Sequence, residues 1–180
     1  MINSSTRLLN KGHWQKLRDL KSLIFDVDGV LTDDTLYLGP GGFEMKRFNV
    51  SDGLGIALLQ KRLKVKVALV SGRHSDATTS RADELSIKPC IQGEVDKKKG
   101  VARVLKSHRV SSAKAAFVGN EILDLPGFAA VGFKIAVAEA APELVARADL
   151  VLQRRGGEGV ARELFELICR ARGVDYVGWF

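Results

Sequence analysis

Leu23-Ile24-Phe25-Asp26-Val27-Asp28-Gly29-Val30-Leu31-Thr32-Asp33 is the stretch on which the fold turns. Residues 22–25 form a short apolar run that stops abruptly at Asp26, as a buried strand does at its carboxyl end. Two carboxylates, Asp26 and Asp28, thus stand two residues apart where a strand gives way to a glycine turn. One can attack while the other transfers protons. A carboxylate is a competent nucleophile toward phosphorus once a hard divalent cation screens the charge, because two anions otherwise repel at contact distance. Asp26 in that role requires magnesium. Asp28 can protonate a leaving alkoxide and later take a proton from the water that hydrolyses the aspartyl phosphate, and its backbone carbonyl can bind the metal. Calcium loops also open with this pattern, but they need glycine in the sixth place and glutamate in the twelfth, where this chain has Leu31 and Tyr37.

Downstream, residues 35–38 and 43–48 are β-prone and separated by Gly39-Pro40-Gly41-Gly42, which predicts a projecting hairpin. Asp52 suits the N-cap of a helix carrying Leu54, Leu58 and Leu59, and residues 65–70 read as a second buried strand ending at Ser71-Gly72-Arg73. That tripeptide offers a hydroxyl, a free backbone N–H and a guanidinium, the donors a phosphoryl group requires. A helix over residues 76–85, a strand near 89–91 and a basic helix over 97–106 follow. A lysine at the start of that basic helix, within Asp96-Lys97-Lys98-Lys99, can neutralise phosphate charge, while Lys98 and Lys99 read as solvated surface. After a strand at 115–118, Gly119-Asn120-Glu121-Ile122-Leu123-Asp124 brings oxygen ligands to a third strand end, with Asn120 and Asp124 as metal candidates.

Strands at 133–138 and 150–152 flank a helix at 142–148, and a glycine-rich loop over 154–159 leads into a helix over 160–172. The tail ends Trp179-Phe180 and calls for a partner surface. Strands alternating with helices imply an α/β fold with a parallel sheet covered on both faces and functional loops beyond the carboxyl ends of its strands. At 180 residues the chain makes one domain, 1–180, with the hairpin at 35–48 and the tail at 173–180.

Composition excludes several classes. A hydrophobic share of 46% with 27% charged residues fits a globular chain rather than a disordered or fibrous one. No run approaches the ~18 to 20 apolar residues of a membrane span, and the first residues lack the apolar core of a signal peptide, so the expected home is cytoplasmic with no membrane partner. Cys90 and Cys169 show no zinc or disulfide spacing. The net charge of +7 comes from scattered basic residues, which suits an anionic small substrate and gives no nucleic-acid stripe. His13, His74 and His108 stand isolated, with no triad or metal spacing.

The order DVDGVLTD, a strand with SGR, Lys97, then GNEILD resembles the haloacid dehalogenase superfamily of phosphotransferases over nearly the whole chain. Within it, the hairpin, FNVSDGLGI, QGEVDK and the late GGEGVARE are similar to the capless 3-deoxy-D-manno-octulosonate 8-phosphate phosphatases and their relatives acting on nonulosonate 9-phosphates. The resemblance implies a Rossmann-like core without an inserted cap. It implies Asp26 as nucleophile, Asp28 as acid/base, Ser71 and Lys97 as phosphate ligands, and Mg2+ held by Asp26, the Asp28 carbonyl and position 120. Sugar-acid contacts are implied for Asn49, Val50, Ser51, Asp52, Gly53, Arg73 and Arg81. It also implies a homotetramer in which hairpins assemble into a central barrel and neighbouring chains, tails included, cover each site.

Three departures from that pattern are evident. Asn120 stands where the phosphatases carry aspartate, Ser51 where they carry arginine, and Glu158 replaces the arginine of their GGRG loop. A neutral Asn120 contributes less Coulomb attraction to a cation. The form GNE is also similar to the C-terminal domain of vertebrate CMP-sialic acid synthetases, which leaves a feebly active oligomerisation or regulatory module beside a cytidylyltransferase as the alternative. A phosphatase for another small metabolite is the second alternative.

Overall fold

A computed structural model describes residues 9–180, and the first eight residues of the polar leader lie outside the described residues. Asn10 caps α1 (Lys11–Asp19) by accepting from the His13 N–H, and the chain then enters β1 (Ser22–Phe25), buried at every position. A two-residue antiparallel ladder follows, β2 (Tyr37–Leu38) on β3 (Glu44–Met45). Then come α2 (Val50–Lys61), β4 (Lys66–Val70), α3 (Asp76–Glu84), β5 (Cys90–Ile91), α4 (Lys97–His108), β6 (Ala115–Gly119) and α5 (Leu125–Phe128). The chain closes with β7 (Phe133–Ala136), α6 (Pro142–Val145), β8 (Leu150–Val151) and α7 (Val160–Arg172).

Six strands form one sheet in the order β5-β4-β1-β6-β7-β8, and every pairing in it is parallel. Because parallel strands need helical crossovers, both faces are covered and the strands read as continuous apolar runs. This is the Rossmann-like, parallel α/β architecture expected. β1 lies at its centre: Phe25 pairs with Leu69 on one side and Val118 on the other. Hence Asp26, Ser71 and Asn120, each just past the end of its strand, converge at one edge. Phe25, Phe117, Phe133 and Phe165 are the largest side chains buried in the core.

Local boundaries depart from the sequence reading. The hairpin is shorter than residues 35–48: only Tyr37–Leu38 and Glu44–Met45 pair, while Phe48 packs against the core. The projecting part exposes Tyr37, Leu38, Phe43 and Met45. Asp52 does not cap α2. Asn49 does, accepting from the Ser51 N–H at 2.8 Å. The tail turns back on its own chain, with the Tyr176 and Trp179 rings 5.0 and 6.1 Å from Phe165, and Phe180 remains 83% exposed. Of the tail's large apolar side chains, Phe180 and Val177 are exposed, while Tyr176 and Trp179 pack on the Phe165 ring of α7, the former edge-to-face and the latter tilted.

Candidate active site

β1 delivers Asp26 into a buried setting. Lys97, the first residue of α4, reaches across from the neighbouring crossover so that Nζ lies 2.7 Å from Asp26 Oδ1. The same Nζ donates to the Val70 carbonyl at 2.8 Å and stands 3.4 Å from Asp124 Oδ1. Only 3% of Lys97 is exposed, so this is a desolvated ammonium held by oxygens on three sides. The Asp26 carboxyl is pushed up to about 7, first by burial and then by the charge of Asp124, with Lys97 pulling against both. Val27 N–H donates to Asp26 Oδ1 at 2.7 Å and fixes the carboxylate from below.

Gly29 belongs to the turn for two reasons. Its φ of +73° suits glycine, and a Cβ there would lie 2.0 Å from Asn120 Nδ2. Gly119, at the end of β6, is fixed by the Asp124 carboxylate, whose Oδ2 would sit 2.5 Å from an added Cβ. Asp124 is fully buried. Its Oδ2 accepts from the Asn120 and Glu121 N–H groups at 2.9 and 3.3 Å, which shapes the loop that carries Asn120. Asn120 Oδ1 and Asp124 Oδ1 are both buried and receive no hydrogen bond.

Oxygens without a hydrogen bond, one of them beside the Lys97 ammonium, fit a hard cation. Among the described residues no three or more His, Cys, Asp and Glu side chains converge as a metal cage. The donors on offer are instead one or two carboxylates, an amide oxygen and a main-chain carbonyl. Magnesium is commonly bound in this sparse fashion, with water and substrate phosphate completing the octahedron.

Ser71 is buried, and its Oγ accepts from the Arg73 N–H at 3.1 Å. A Cβ at Gly72 would meet nothing within 4 Å, so the space beside the backbone there is open. Asp28 lies on the hairpin side. Lys46, at the foot of the hairpin, donates to its Oδ1 at 2.6 Å, and Arg73 Nε is 3.9 Å from its Oδ2. Arg73 also donates to Glu44 Oε2 at 2.8 Å. Sequence reasoning passed over Lys46 and Glu44, whose alternation along the second hairpin limb was the available signal. A cleft of about 340 Å3, lined by Phe43, Glu44, His74 and Ser75 among others, lies between the hairpin and the start of α3.

The segment 49–53 is less uniform than expected. Val50 is 84% exposed and Ser51 is exposed, but Asp52 is 3% exposed and faces inward. Its Oδ1 accepts from the Ala161 and Arg162 N–H groups at 2.6 and 3.1 Å, capping α7 from a distance. Asp52 is thus corrected from a substrate contact to a structural cap. Gly53 is also buried, and a Cβ there would come within 2.7 Å of Arg81 Nη2. Arg81 is engaged within the fold: it donates to the Asn49 carbonyl at 2.9 Å and to Glu84 at 2.7 Å. Asn49 Nδ2 donates to the Gly157 carbonyl at 3.2 Å, tying this segment to the loop that bears the exposed Glu158.

Comparison with known proteins gives the family. The profile of haloacid dehalogenase-like hydrolases matches residues 90–164. The chain is 39% identical over 163 residues to the 3-deoxy-D-manno-octulosonate 8-phosphate phosphatase KdsC of Haemophilus influenzae, covering 91% of this chain and 90% of that one. It is 37% identical over 158 residues to KdsC of Escherichia coli K12, covering 88% and 84% respectively. Among solved structures, the phosphatase from Yersinia pestis superposes with a TM-score of 0.87 at 35% identity, over 92% of this chain and 89% of that chain. The Moraxella catarrhalis phosphatase, solved with magnesium, phosphate and KDO, superposes with a TM-score of 0.84 at 34% identity over 89% of this chain and 91% of that chain. With its strand-end carboxylates, its buried lysine and these relatives along nearly its whole length, the chain belongs to the capless 3-deoxy-D-manno-octulosonate 8-phosphate phosphatase family of haloacid dehalogenase-like hydrolases.

Proposed function

We propose that this protein is a magnesium-dependent phosphatase that hydrolyses the phosphomonoester of a sugar acid of the 3-deoxy-D-manno-octulosonate 8-phosphate class through a phosphoaspartate on Asp26. The observation that carries the reading is the Asp26–Lys97 pair at 2.7 Å on the central strand end, with Asp124 behind it.

Asp26, the Asp28 main-chain carbonyl and Asn120 would hold the magnesium, with Asp124 supporting Asn120 from behind. When bound, the ion screens the charge between the nucleophile and the phosphoryl oxygens. Lys97 binds one phosphoryl oxygen and the Ser71 hydroxyl and Gly72 N–H take others, so charge developing in transfer meets fixed donors. Asp26 attacks phosphorus as the bond to the leaving oxygen breaks, and Asp28 gives that oxygen its proton. Asp28 then takes a proton from the water that attacks the phosphoaspartate, and Asp26 is released with inorganic phosphate. Arg73, which now pairs with Glu44, would meet the sugar carboxylate. Asn49, Val50 and Ser51 would contact the sugar acid, whereas Arg81 acts by holding the Asn49 carbonyl.

Tyr37, Leu38, Phe43 and Met45 expose apolar surface on a two-residue ladder that cannot stand alone in water, which supports a homotetramer joined through the hairpins. Light scattering on a sizing column reads the subunit count directly. No helix among the described residues is long and apolar enough to cross a membrane, and we assign the enzyme to the cytoplasm.

Phosphate release from 3-deoxy-D-manno-octulosonate 8-phosphate, with magnesium or with chelator, tests the reading. Release that needs magnesium supports it. The absence of release from this and related sugar-acid phosphates would favour the non-catalytic module.

A further inference from the structure

Lys46 follows β3 directly, and its side chain is wholly shut from solvent. A buried ammonium is costly unless oxygens meet it. Here the oxygen that meets it most closely belongs to Asp28: Lys46 Nζ donates to Asp28 Oδ1 at 2.6 Å. A longer bond runs to Thr78 Oγ1 on α3 at 3.5 Å, and Glu44 Oε1 stands 3.9 Å away. Glu44 accepts in turn from Arg73, whose Nε approaches the second Asp28 oxygen, Oδ2, at 3.9 Å. The hydrolysis described above assigns Lys46 no step.

We propose that Lys46 is the positioning residue for the acid/base carboxylate: by tying down Oδ1 it leaves Oδ2 as the oxygen that gives and takes the proton. The proposal rests on the phosphatase reading. Asp28 is only partly buried, with 19% of its side chain exposed, and a short carboxylate in such a place has several rotamers open to it. One buried donor at fixed height selects among them, and proton transfer rewards that selection because a misplaced acid contributes little. In phosphoryl transfer the Asp26–phosphorus bond forms, the bond from phosphorus to the leaving oxygen breaks, and the proton on Asp28 Oδ2 goes to that oxygen. In hydrolysis the same Oδ2 takes a proton from the attacking water, which restores the starting state. Since Lys46 and Glu44 both belong to the hairpin limb, the seating of the hairpin sets the geometry of the acid.

The test exploits leaving groups. A sugar-acid alkyl phosphate expels an alkoxide that must be protonated, whereas 4-nitrophenyl phosphate expels a phenolate that need not be. kcat/KM for both is measured with the wild-type enzyme, Lys46→Met and Asp28→Asn, and magnesium-dependent binding of inorganic phosphate is followed by calorimetry. Lys46→Met is expected to lose about 100-fold on the alkyl phosphate and less than about 5-fold on the aryl one, with phosphate binding kept. If Lys46→Met folds poorly, Lys46→Ala purified with propylammonium carries the test, and the added amine should restore alkyl activity selectively. Equal losses on both substrates would overturn the proposal. So would an unimpaired Lys46→Met beside an Asp28→Asn that shows the split. A wild-type enzyme inert toward both phosphates would overturn the phosphatase reading and the proposal with it.

Discussion

Lys97 Nζ and Asp26 Oδ1 are 2.7 Å apart, in a place where the lysine side chain is 4% and the aspartate side chain 13% exposed. In so dry a setting each charge is the other's main solvent, with Asp124 as the competing anion. Lys97→Met therefore does two things at once: it removes a phosphate donor and leaves Asp26 beside Asp124 unopposed. We expect kcat/KM to fall by about 100- to 1,000-fold, and the acidic limb of the pH–rate profile to move to higher pH. A drop in rate with an unmoved limb would assign Lys97 to phosphate binding alone.

Magnesium binding should depend on pH through Asp26. Its carboxyl is raised to about 7 by burial and by Asp124, and the ligand form is the ionised one. Below pH 7 a proton must leave before the cation binds, so the apparent Kd should rise toward tenfold for each unit of falling pH. Above pH 7 it should flatten. Calorimetric titration across about pH 5.5 to 8.5 reads this. Asp124→Asn, which removes the second cause of the shift, should move the break downward.

Stability should fall in mild acid because of His108. This side chain is 4% exposed, with Nδ1 2.8 Å from Ser22 Oγ and Nε2 2.9 Å from the Lys88 carbonyl. Burial lowers its folded-state pKa, helped by the nearby Lys66 and opposed by the bond to Lys88. The unfolded chain therefore binds the proton first. Full stability is present above the ordinary histidine value of about 6.5 and is lost as pH falls through the depressed folded value. Denaturant unfolding of wild type and His108→Gln should converge as pH drops from about 7 to 5.

Asp52→Ala should behave as a loss of a helix cap. The carboxylate holds the N–H groups of Ala161 and Arg162 at the start of α7, and such caps are worth about 1 to 2 kcal/mol. For a chain of this size that is roughly 2 to 8 °C in Tm. We expect Tm to fall while KM for the sugar-acid phosphate stays within about threefold. A large rise in KM with unchanged Tm would return Asp52 to the substrate.

The difference between Asp26 and Asp52 shows what the sequence makes legible. β1 is an apolar run cut off by an aspartate and a glycine turn, so its role is written in adjacent residues, as are the strand ends at Ser71 and Asn120. The parallel sheet follows from the alternation those runs display. Asp52 sits in an equally suggestive local setting, one turn into a helix with leucines at helical spacing, yet its partners lie 109 and 110 positions away. No local pattern encodes that contact. The same holds for Lys46, whose alternation on a hairpin limb marks a face without saying that Asp28 waits opposite, and for Arg81, whose guanidinium is satisfied by the Asn49 carbonyl. In the sequence alone Trp179 stands without a partner, because the Phe165 ring it packs on is met only after α7 is folded.

The phosphoaspartate on Asp26 can be trapped directly. Enzyme mixed with magnesium and 3-deoxy-D-manno-octulosonate 8-phosphate is quenched within the first turnovers and reduced with tritiated borohydride, which converts an aspartyl phosphate to homoserine, and the labelled peptide is sequenced. Label at position 26, absent without substrate and absent in Asp26→Asn, is the expected result. Phosphate release by the wild-type enzyme with no label at position 26, or with label at another carboxylate, would contradict nucleophilic catalysis by Asp26.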